Sequence, residues 1–295
     1  MQEPYRTFPS VLIFDNQNQL PVQFRDTSLA HATASFSVEG LAELHASGSS
    51  QYDLPQLEAL LDRIGSKKGV PVYLVDLRQE SHVFLNGTAV SWYADKDWSN
   101  VGRSLAWIEE DERLKLIRLV AGRTAMAGTI VKSSNGEVSA SDPVAVEITD
   151  ATTESGLATQ LNVEYRRIPV PDHCRPTDDM VQDYVTFAGA LPDQAWVHFH
   201  CHGGDGRTTT FLALYDMIRN ASRVSLDDIV ARQSMLGQYK LFGGDGSGWK
   251  ATVEAARTRF IKDFYQYAKL GYPRMSWLEW VSQNGTQAVV ESASA

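Results

Sequence analysis

A run of reactive and glycine residues, HFHCHGGDGRTTTF, spans residues 198–211. Five residues separate Cys201 from Arg207, and three of those five are glycine. Glycines let successive backbone N–H groups point inward and form a concavity that binds anions. A thiol at the floor of such a concavity is held as the nucleophilic thiolate. The planar guanidinium of Arg207 can bind two phosphoryl oxygens and stabilise the charge that develops on them.

The other residues of this run fit the same chemistry. Thr208 can donate a hydroxyl hydrogen bond to the sulfur, and His200 can fix the loop through its ring nitrogens. His198 is expected to be a satisfied histidine of the preceding strand. The loop residues expected to bind phosphate are His202, Gly203, Gly204, Asp205 and Gly206.

A zinc site is an alternative for the same segment. His198 and His200 share one face of a strand, and a thiolate next to them could complete part of a zinc coordination shell. That alternative leaves the glycines without a role, and no further cluster of ligands is evident. The sequence therefore favours an anion cradle that uses no metal and no cofactor. A glycine-rich turn without chemistry is the remaining alternative.

Catalysis on a phosphate ester also needs a proton donor for the leaving oxygen, usually an aspartate on a loop. The segment VPDHCRPTDD offers Asp172, which precedes Cys201 by 29 residues. It follows a predicted strand and precedes a helix that Thr177 caps. Asp178 and Asp179 are explained by the first turn of that helix.

Strands and helices alternate around these residues. Residues 54–64 have the apolar spacing of a helix that Gly65 ends, and residues 72–77 and 195–200 read as buried strands. Residues 208–219 form a second clear helix. This alternation predicts an α/β sheet with helices on both faces.

A small β insertion is predicted between residues 105 and 163. Three segments there read as short strands bounded by turn residues: 114–122, 124–138 and 143–149. The expected organisation is a catalytic domain formed by 1–104 and 164–284, the insertion at 105–163, and a frayed tail at 285–295.

The composition is that of an ordinary globular protein. The chain has 295 residues and a formal net charge of −9, which argues against a general nucleic-acid or membrane-surface binder. No apolar run reaches membrane-spanning length, and the polar start is not typical of a signal peptide. The two cysteines exclude a disulfide framework. Oligomeric state and native compartment are left open.

These features together resemble one family, the protein-tyrosine-phosphatase-like phytases, or cysteine phytases, of bacteria. Similar segments extend from about residue 11 to 284 and are weakest at 105–162. They include LHASGSSQY (44–52), DLRQESHVFLNG (76–87), VSWYADKDWSNVG (90–102), VSLDDIVARQ (224–233) and GYPRMSWLEW (271–280).

The resemblance implies a phosphatase α/β domain that carries a small partial β-barrel. It implies stepwise, metal-independent removal of phosphates from inositol hexakisphosphate, with secretion or a periplasmic location. It makes Cys201 the nucleophile, Asp172 the general acid and Arg207 the phosphate clamp. The substrate contacts that it implies are His173, Asp97, Lys250 and Arg257. Lys250 and Arg257 share one face of a C-terminal helix.

Three positions depart from the family pattern. Asp205 places a negative charge at the rim of the anion site, Glu254 stands where an aromatic residue is expected, and Ile13 replaces an arginine. These changes bear on substrate affinity and on the order of phosphate removal, whereas the chemistry itself is unaffected.

Three alternatives remain open at this stage. A phosphotyrosine or dual-specificity protein phosphatase shares the same loop, and a non-catalytic inositol-phosphate-binding module could retain the cradle. A reversible disulfide between Cys174 and Cys201 would add regulation by oxidation.

Overall fold

The computed structural model describes residues 10–15, 21–28, 35–65, 69–132 and 138–284. These ranges contain eleven strands and eight α-helices. The tail predicted at 285–295 lies outside the described residues. Among the described helices, none combines the length and the apolar character needed to cross a membrane.

The cysteine follows a strand of a mainly parallel sheet. In order across the sheet, its strands are β10 (Glu164–Val170), β4 (Val72–Arg78), β11 (Trp196–His200), β3 (Ala46–Ser49) and β2 (Arg25–Asp26). The first four are parallel, and β2 runs antiparallel to β3. Ligands bind beyond the carboxyl ends of such strands. Cys201, directly after β11, therefore lies at the binding edge.

Helices cover both faces of this sheet, which confirms the predicted α/β class. The helices are α1 (Leu54–Ile64), α2 (Leu105–Gly122), α3 (Glu154–Gln160), α4 (Asp178–Ala190), α5 (Gly206–Asn220), α6 (Leu226–Leu236), α7 (Gly248–Leu270) and α8 (Trp277–Asn284). Side chains alternate along β4: Leu74 packs with α1 and α3, whereas Val75 and Leu77 pack with α4, α5 and α7. The helices predicted at 54–64 and 208–219 are both present.

A second sheet lies beside the first. Its strands, in spatial order, are β8 (Val138–Glu147), β7 (Thr124–Lys132), β1 (Val11–Phe14), β6 (Thr88–Tyr93), β5 (His82–Leu85) and β9 (Ala151–Thr152). Within the described residues its two end strands, β8 and β9, do not pair with each other. Strands β1, β5 and β6 come from outside residues 105–163, and the domain division given above stays a prediction.

The strand predicted at 114–122 is wrong. These residues form the second half of α2. Ser104 caps the helix by accepting from the backbone N–H of Trp107 at 3.3 Å, and Arg123 ends it with a left-handed φ of +57°. The helix starts nine residues before the apolar segment, and its capping signals lie at 104 and 123. Residues 114–122 taken alone therefore contain neither of the signals that mark the ends of this helix.

Candidate active site

Cys201 lies at the floor of the loop between β11 and α5 and is 2% exposed. Two donors reach its sulfur: the backbone N–H of Gly204, with N···Sγ 3.3 Å, and the hydroxyl of Thr208, with O···Sγ 3.2 Å. Hydrogen bonds of this kind favour the ionised form of a thiol. Gly204 has φ +80°, and a Cβ there would lie 2.5 Å from the backbone nitrogen of Ser50, so the loop requires glycine here.

The other loop residues complete the cradle. Gly206 begins α5, whose N-terminal N–H groups and dipole favour an anion. Gly203 is exposed at the mouth of the loop. Asp205 is half-buried, and burial raises the pKa of its carboxyl despite the opposing effect of Arg25. The carbonyl of His202 accepts from the backbone N–H of Gln51 at 3.1 Å, which ties the loop to the end of β3.

Arg207 is held by a carboxylate that the motif alone does not reveal. Its Nη1 and Nη2 donate to the two carboxylate oxygens of Glu80 at 2.8 and 3.1 Å, and Nη1 also donates to the Val170 carbonyl at 3.2 Å. Arg78 donates to the same carboxylate at 2.7 Å. Although burial opposes it, the two arginines hold the pKa of Glu80 well below its usual value. Arg207 is therefore fixed as a cation next to the cradle.

The loop with the expected acid comes close to this arginine. Asp172 Oδ1 lies 3.2 Å from Arg207 Nε, and its side chain keeps 26% of its surface exposed. Trp98 donates from its indole N–H to the Asp172 backbone carbonyl at 2.9 Å. His173, with φ +66°, places Nε2 3.2 Å from Asp172 Oδ2. A ring from α7, that of Trp249, lies 5.4 Å from the His173 ring. The acid loop thus has a defined position next to the cradle.

Asp97 is fully buried at the edge of the same cluster. Its Oδ2 lies 3.3 Å from His202 Nδ1 and 3.8 Å from Arg207 Nη2, and its Oδ1 has no hydrogen-bond partner among the described residues. Burial and the neighbouring carboxylate of Glu80 raise the pKa of Asp97 to about 7. Burial opposes protonation of His202, but its contacts with Asp97 and Asp15 raise its pKa. Asp97 therefore changes charge near neutral pH.

His200 and His198 have separate partners. Nε2 of His200 lies 2.8 Å from Oε1 of Glu154, the first residue of α3. His198 contacts the hydroxyls of Ser47 at 2.9 Å and Ser49 at 3.1 Å, which confirms the expectation of a satisfied strand histidine. Burial lowers the pKa of His198 well below its usual value, so this ring is neutral. The contact with Glu154 thus fixes the residue that precedes Cys201.

The two basic residues predicted on α7 occupy different environments. Lys250 is exposed in the first turn of the helix. Arg257 is 1% exposed, and it donates to the His173 carbonyl at 3.2 Å and to the Tyr239 hydroxyl at 2.6 Å. Its guanidinium therefore stabilises the position of the loop that contains Asp172 and His173.

Within the part of the chain that the structure describes, two groups of side chains have metal-ligand types and spacing: Asp76, Glu154 and His200, and separately Glu80, Asp97 and His202. Protein cations already neutralise a carboxylate in each group. Arg167 Nε lies 3.1 Å from Asp76 Oδ2, and Arg207 binds both oxygens of Glu80. Both groups are thus parts of buried ion-pair networks that support the site.

Cys174, the second cysteine, is a free thiol in the turn after the acid. Its backbone N–H donates to the Pro171 carbonyl at 3.1 Å. Burial and the nearby carboxylate of Asp172 raise the pKa of its thiol to about 11, so Cys174 is protonated and a poor nucleophile. The disulfide with Cys201 stays a prediction.

Three side chains of this site escaped prediction from the sequence: Glu80, Trp98 and Glu154. Glu80 follows a buried strand, β4, that lies next to β11, so its place at the carboxyl edge was a usable signal. Trp98 directly follows Asp97 in the segment at 90–102, which was already selected from the sequence, so it too could have been found. Glu154 gave no such signal, because its contacts are with residues at least 46 positions away in the chain.

A thiol in a glycine-rich cradle, an arginine clamp and an adjacent aspartate, set at the end of a parallel strand, define the class of cysteine-dependent phosphatase sites. Comparisons with known proteins indicate which family within this class the chain resembles. The family model PTP-like phytase, described as "Inositol hexakisphosphate", matches residues 75–219.

Two solved structures are similar over almost the whole chain. A PTP-like phytase from Bdellovibrio bacteriovorus is 32% identical with a TM-score of 0.76, and the match covers 96% of this chain and 98% of that one. A PTP-like myo-inositol phosphatase from Mitsuokella multacida, in complex with myo-inositol-(1,3,4,5)-tetrakisphosphate, is 30% identical with a TM-score of 0.83. That match covers 96% of this chain and 50% of the other.

Among curated proteins, the effector protein hopD2 of Pseudomonas syringae pv. tomato is 27% identical over 272 residues, which are 87% of this chain and 56% of the effector. The chain thus spans about half the length of this relative and of the Mitsuokella protein. The chain belongs to the family of protein-tyrosine-phosphatase-like phytases.

Proposed function

We propose that the protein is a cysteine-dependent phosphomonoesterase that removes phosphates stepwise from myo-inositol hexakisphosphate or a lower inositol phosphate. One observation carries the proposal: two donors reach the sulfur of Cys201, and Arg207 and Asp172 lie 3.2 Å apart beside it. The inositol tetrakisphosphate bound to the Mitsuokella relative supports the substrate class. The reaction needs no metal, because backbone N–H groups and Arg207 supply the positive field.

In the first step the Cys201 thiolate attacks phosphorus in line with the leaving oxygen. The S–P bond forms as the P–O bond breaks, and Asp172 gives its proton to the leaving oxygen, which departs as a hydroxyl of the inositol ring. Arg207 binds the equatorial oxygens while charge spreads over them. The hydroxyl of Thr208, 3.2 Å from the sulfur, stabilises the thiolate before attack.

In the second step water attacks the phosphocysteine. Asp172, now a carboxylate, takes the proton of the water as the S–P bond breaks. The sulfur leaves as a thiolate, which the hydrogen bonds from Gly204 and Thr208 stabilise, and inorganic phosphate is released. His200 holds the loop through Glu154 during both steps.

Residues at the rim would bind the phosphates that are not being cleaved. Lys250 is exposed in the first turn of α7, and His173 lies between the acid and this helix. Asp97 would accept from a ring hydroxyl or repel a crowded phosphate, depending on its charge. The buried Arg257 would act on substrate through the backbone of His173.

We also propose that residues 105–163 act as an insertion in a catalytic domain formed by 1–104 and 164–284. Helix α3 within this range supports the site, since it supplies Glu154. The range then contributes to the orientation of His200 as well as to the second sheet.

The direct test is phosphate release from inositol hexakisphosphate in the presence of a chelator, with a phosphotyrosine peptide assayed in parallel. Wild type, Cys201→Ser and Asp172→Asn are compared, and Asp193→Asn serves as a matched exposed control. The proposal predicts release from the inositol substrate with chelator, its loss in Cys201→Ser, and wild-type rates in the control.

Other outcomes would assign a different function to the protein. Activity on the peptide alone would indicate a protein phosphatase. Binding of phosphate without release from either substrate would indicate a binding module. Loss of activity on addition of chelator would favour a metal site.

A further inference from the structure

Arg25 is a buried arginine that the reaction scheme above does not use. It lies on the edge strand β2 and is 4% exposed. Its Nη1 donates to the Gly204 carbonyl at 2.6 Å and to the Gln23 carbonyl at 2.9 Å, and its Nη2 donates to the Thr209 hydroxyl at 2.9 Å. The guanidinium therefore joins the edge of the sheet to the phosphate loop and to the first turn of α5.

Gly204 connects this arginine to the nucleophile. Its carbonyl accepts from Arg25, while its own N–H is directed at the sulfur of Cys201. A rotation of the backbone at Gly204 would disturb both hydrogen bonds. The contact with Arg25 opposes such a rotation. If the Gly204 carbonyl turned away, a buried N–H group of the Arg25 cation would lose its acceptor, which costs free energy.

The positive charge of Arg25 also acts on the sulfur of Cys201. Burial lowers the pKa of Arg25 to about 10, and attraction to Cys201 and Asp205 opposes that shift. The side chain is thus a cation at neutral pH, and its attraction to the sulfur favours the thiolate in return. The cations that act on the sulfur are Arg25 from β2 and Arg207 from α5. The carboxylates that act on these cations are Asp205 from the loop, Glu80 from the segment after β4 and Asp172 from the acid loop.

We propose that Arg25 is a positioning residue that fixes the backbone of Gly204 and stabilises the Cys201 thiolate. The inference rests on the proposed function only in that the thiolate is the attacking group. Arg207 binds the phosphoryl oxygens during the reaction, whereas the Nη atoms of Arg25 donate to the protein, at Gly204, Gln23 and Thr209. Arg207 therefore binds the substrate, whereas Arg25 fixes the backbone next to the nucleophile and stabilises its thiolate.

Alkylation of Cys201 by iodoacetamide tests this inference without any phosphatase assay. The rate is measured across pH by peptide mass spectrometry, which separates Cys201 from Cys174. In Arg25→Met the midpoint of the pH–rate curve should rise by about one unit, so alkylation at low pH slows by about tenfold. Arg25→Lys keeps the charge and should show less than half of this shift.

Protection by inorganic phosphate reports the shape of the loop. The ammonium of Arg25→Lys cannot hold both Gly204 and Thr209, so about tenfold more phosphate should be needed to slow alkylation. Arg118→Met removes an exposed cation from α2 and should match wild type in both measurements. Circular dichroism checks that each variant is folded, and if Arg25→Met is unfolded, Arg25→Lys decides through phosphate protection.

An unchanged midpoint in folded Arg25→Met, or equal shifts in the Met and Lys variants, would overturn the inference. Unchanged phosphate protection in Arg25→Lys would overturn it as well. Because alkylation does not depend on the substrate, these results are distinguishable from a failure of the proposed phosphatase activity.

Discussion

Glu80 binds Arg207 through both carboxylate oxygens, at 2.8 and 3.1 Å, in a position where both side chains are fully buried. The arginine of the phosphate loop thus has a fixed partner at the end of the neighbouring strand. Arg78 and Asp15 extend the network towards the second sheet, with Nη1 of Arg78 2.6 Å from Asp15 Oδ2. The second sheet therefore contributes to the orientation of the clamp.

Replacement of Glu80 tests this relationship. In Glu80→Gln the buried cation of Arg207 loses its ionic partner, so the free energy of unfolding should fall by about 3 kcal/mol, as for other broken buried ion pairs. Phosphatase kcat/KM should fall by about 100-fold, since the clamp acts in the transition state. Denaturant unfolding and steady-state kinetics measure both effects.

Glu110→Gln is the matched control. Glu110 forms an exposed pair with Arg113 on α2, at 2.7 Å, and exposed pairs contribute little to stability because solvent screens them. A similar loss of stability and of kcat/KM in Glu80→Gln and Glu110→Gln would show that the contact between Glu80 and Arg207 has no special role.

Trp98 should affect only the step that needs the acid. Trp98→Phe removes the indole donor from the Asp172 carbonyl, so the loop loses about 1 kcal/mol of support and kcat on inositol phosphates should fall about fivefold. A nitrophenyl phosphate needs little protonation of its leaving group, so its kcat should change far less. Trp107→Phe on α2 is the control. Equal loss on both substrates would contradict the assignment.

Asp97 should make substrate binding depend on pH near neutrality. Its pKa of about 7 means that it is neutral below and charged above this value. The charged form repels phosphates, so KM should rise by about threefold or more from about pH 6 to about pH 8. Asp97→Asn should flatten this rise, whereas Asp95→Asn, in the same turn but with 42% of its side chain exposed, should retain it. Parallel KM profiles in wild type and Asp97→Asn would exclude the effect.

Glu154 should stabilise the fold in a pH-dependent manner. Burial would raise its pKa, but contacts with His200 and His82 hold the folded-state pKa well below the unfolded value of 4.5. Its contribution is therefore fully present above pH 4.5 and is lost as the pH falls through the lower folded-state pKa.

Glu154→Gln should accordingly be less stable by about 3 kcal/mol at neutral pH, and the difference should shrink in acid. Urea unfolding at several pH values measures this trend, with the exposed Glu58→Gln as control. A difference that is independent of pH would contradict the account.

The sequence was most informative where chemistry and local structure coincide. The segment from β11 to α5 could be predicted because the strand, the glycines and the helix are contiguous, and the structure has the expected strand, loop and helix. Asp172 could be proposed only from the need for an acid, and the structure brings it next to Arg207.

The supporting contacts could not be predicted in the same way. Arg25 lies 179 residues from Gly204 in the chain, and Glu80 lies 127 residues from Arg207. Such pairs depend on the order of strands in the sheets, which a single sequence does not specify. The wrong strand at 114–122 has a local cause, since the caps of α2 lie outside that segment.

The most direct test of the central claim is to detect the covalent intermediate. Protein quenched in acid during turnover of inositol hexakisphosphate should carry an additional mass of about 80 Da on the peptide with Cys201. Asp172→Asn should accumulate this adduct on an activated aryl phosphate, because hydrolysis of the intermediate lacks its base. Turnover by Cys201→Ser at the wild-type rate, with no adduct on Cys201 in the wild type, would contradict the account.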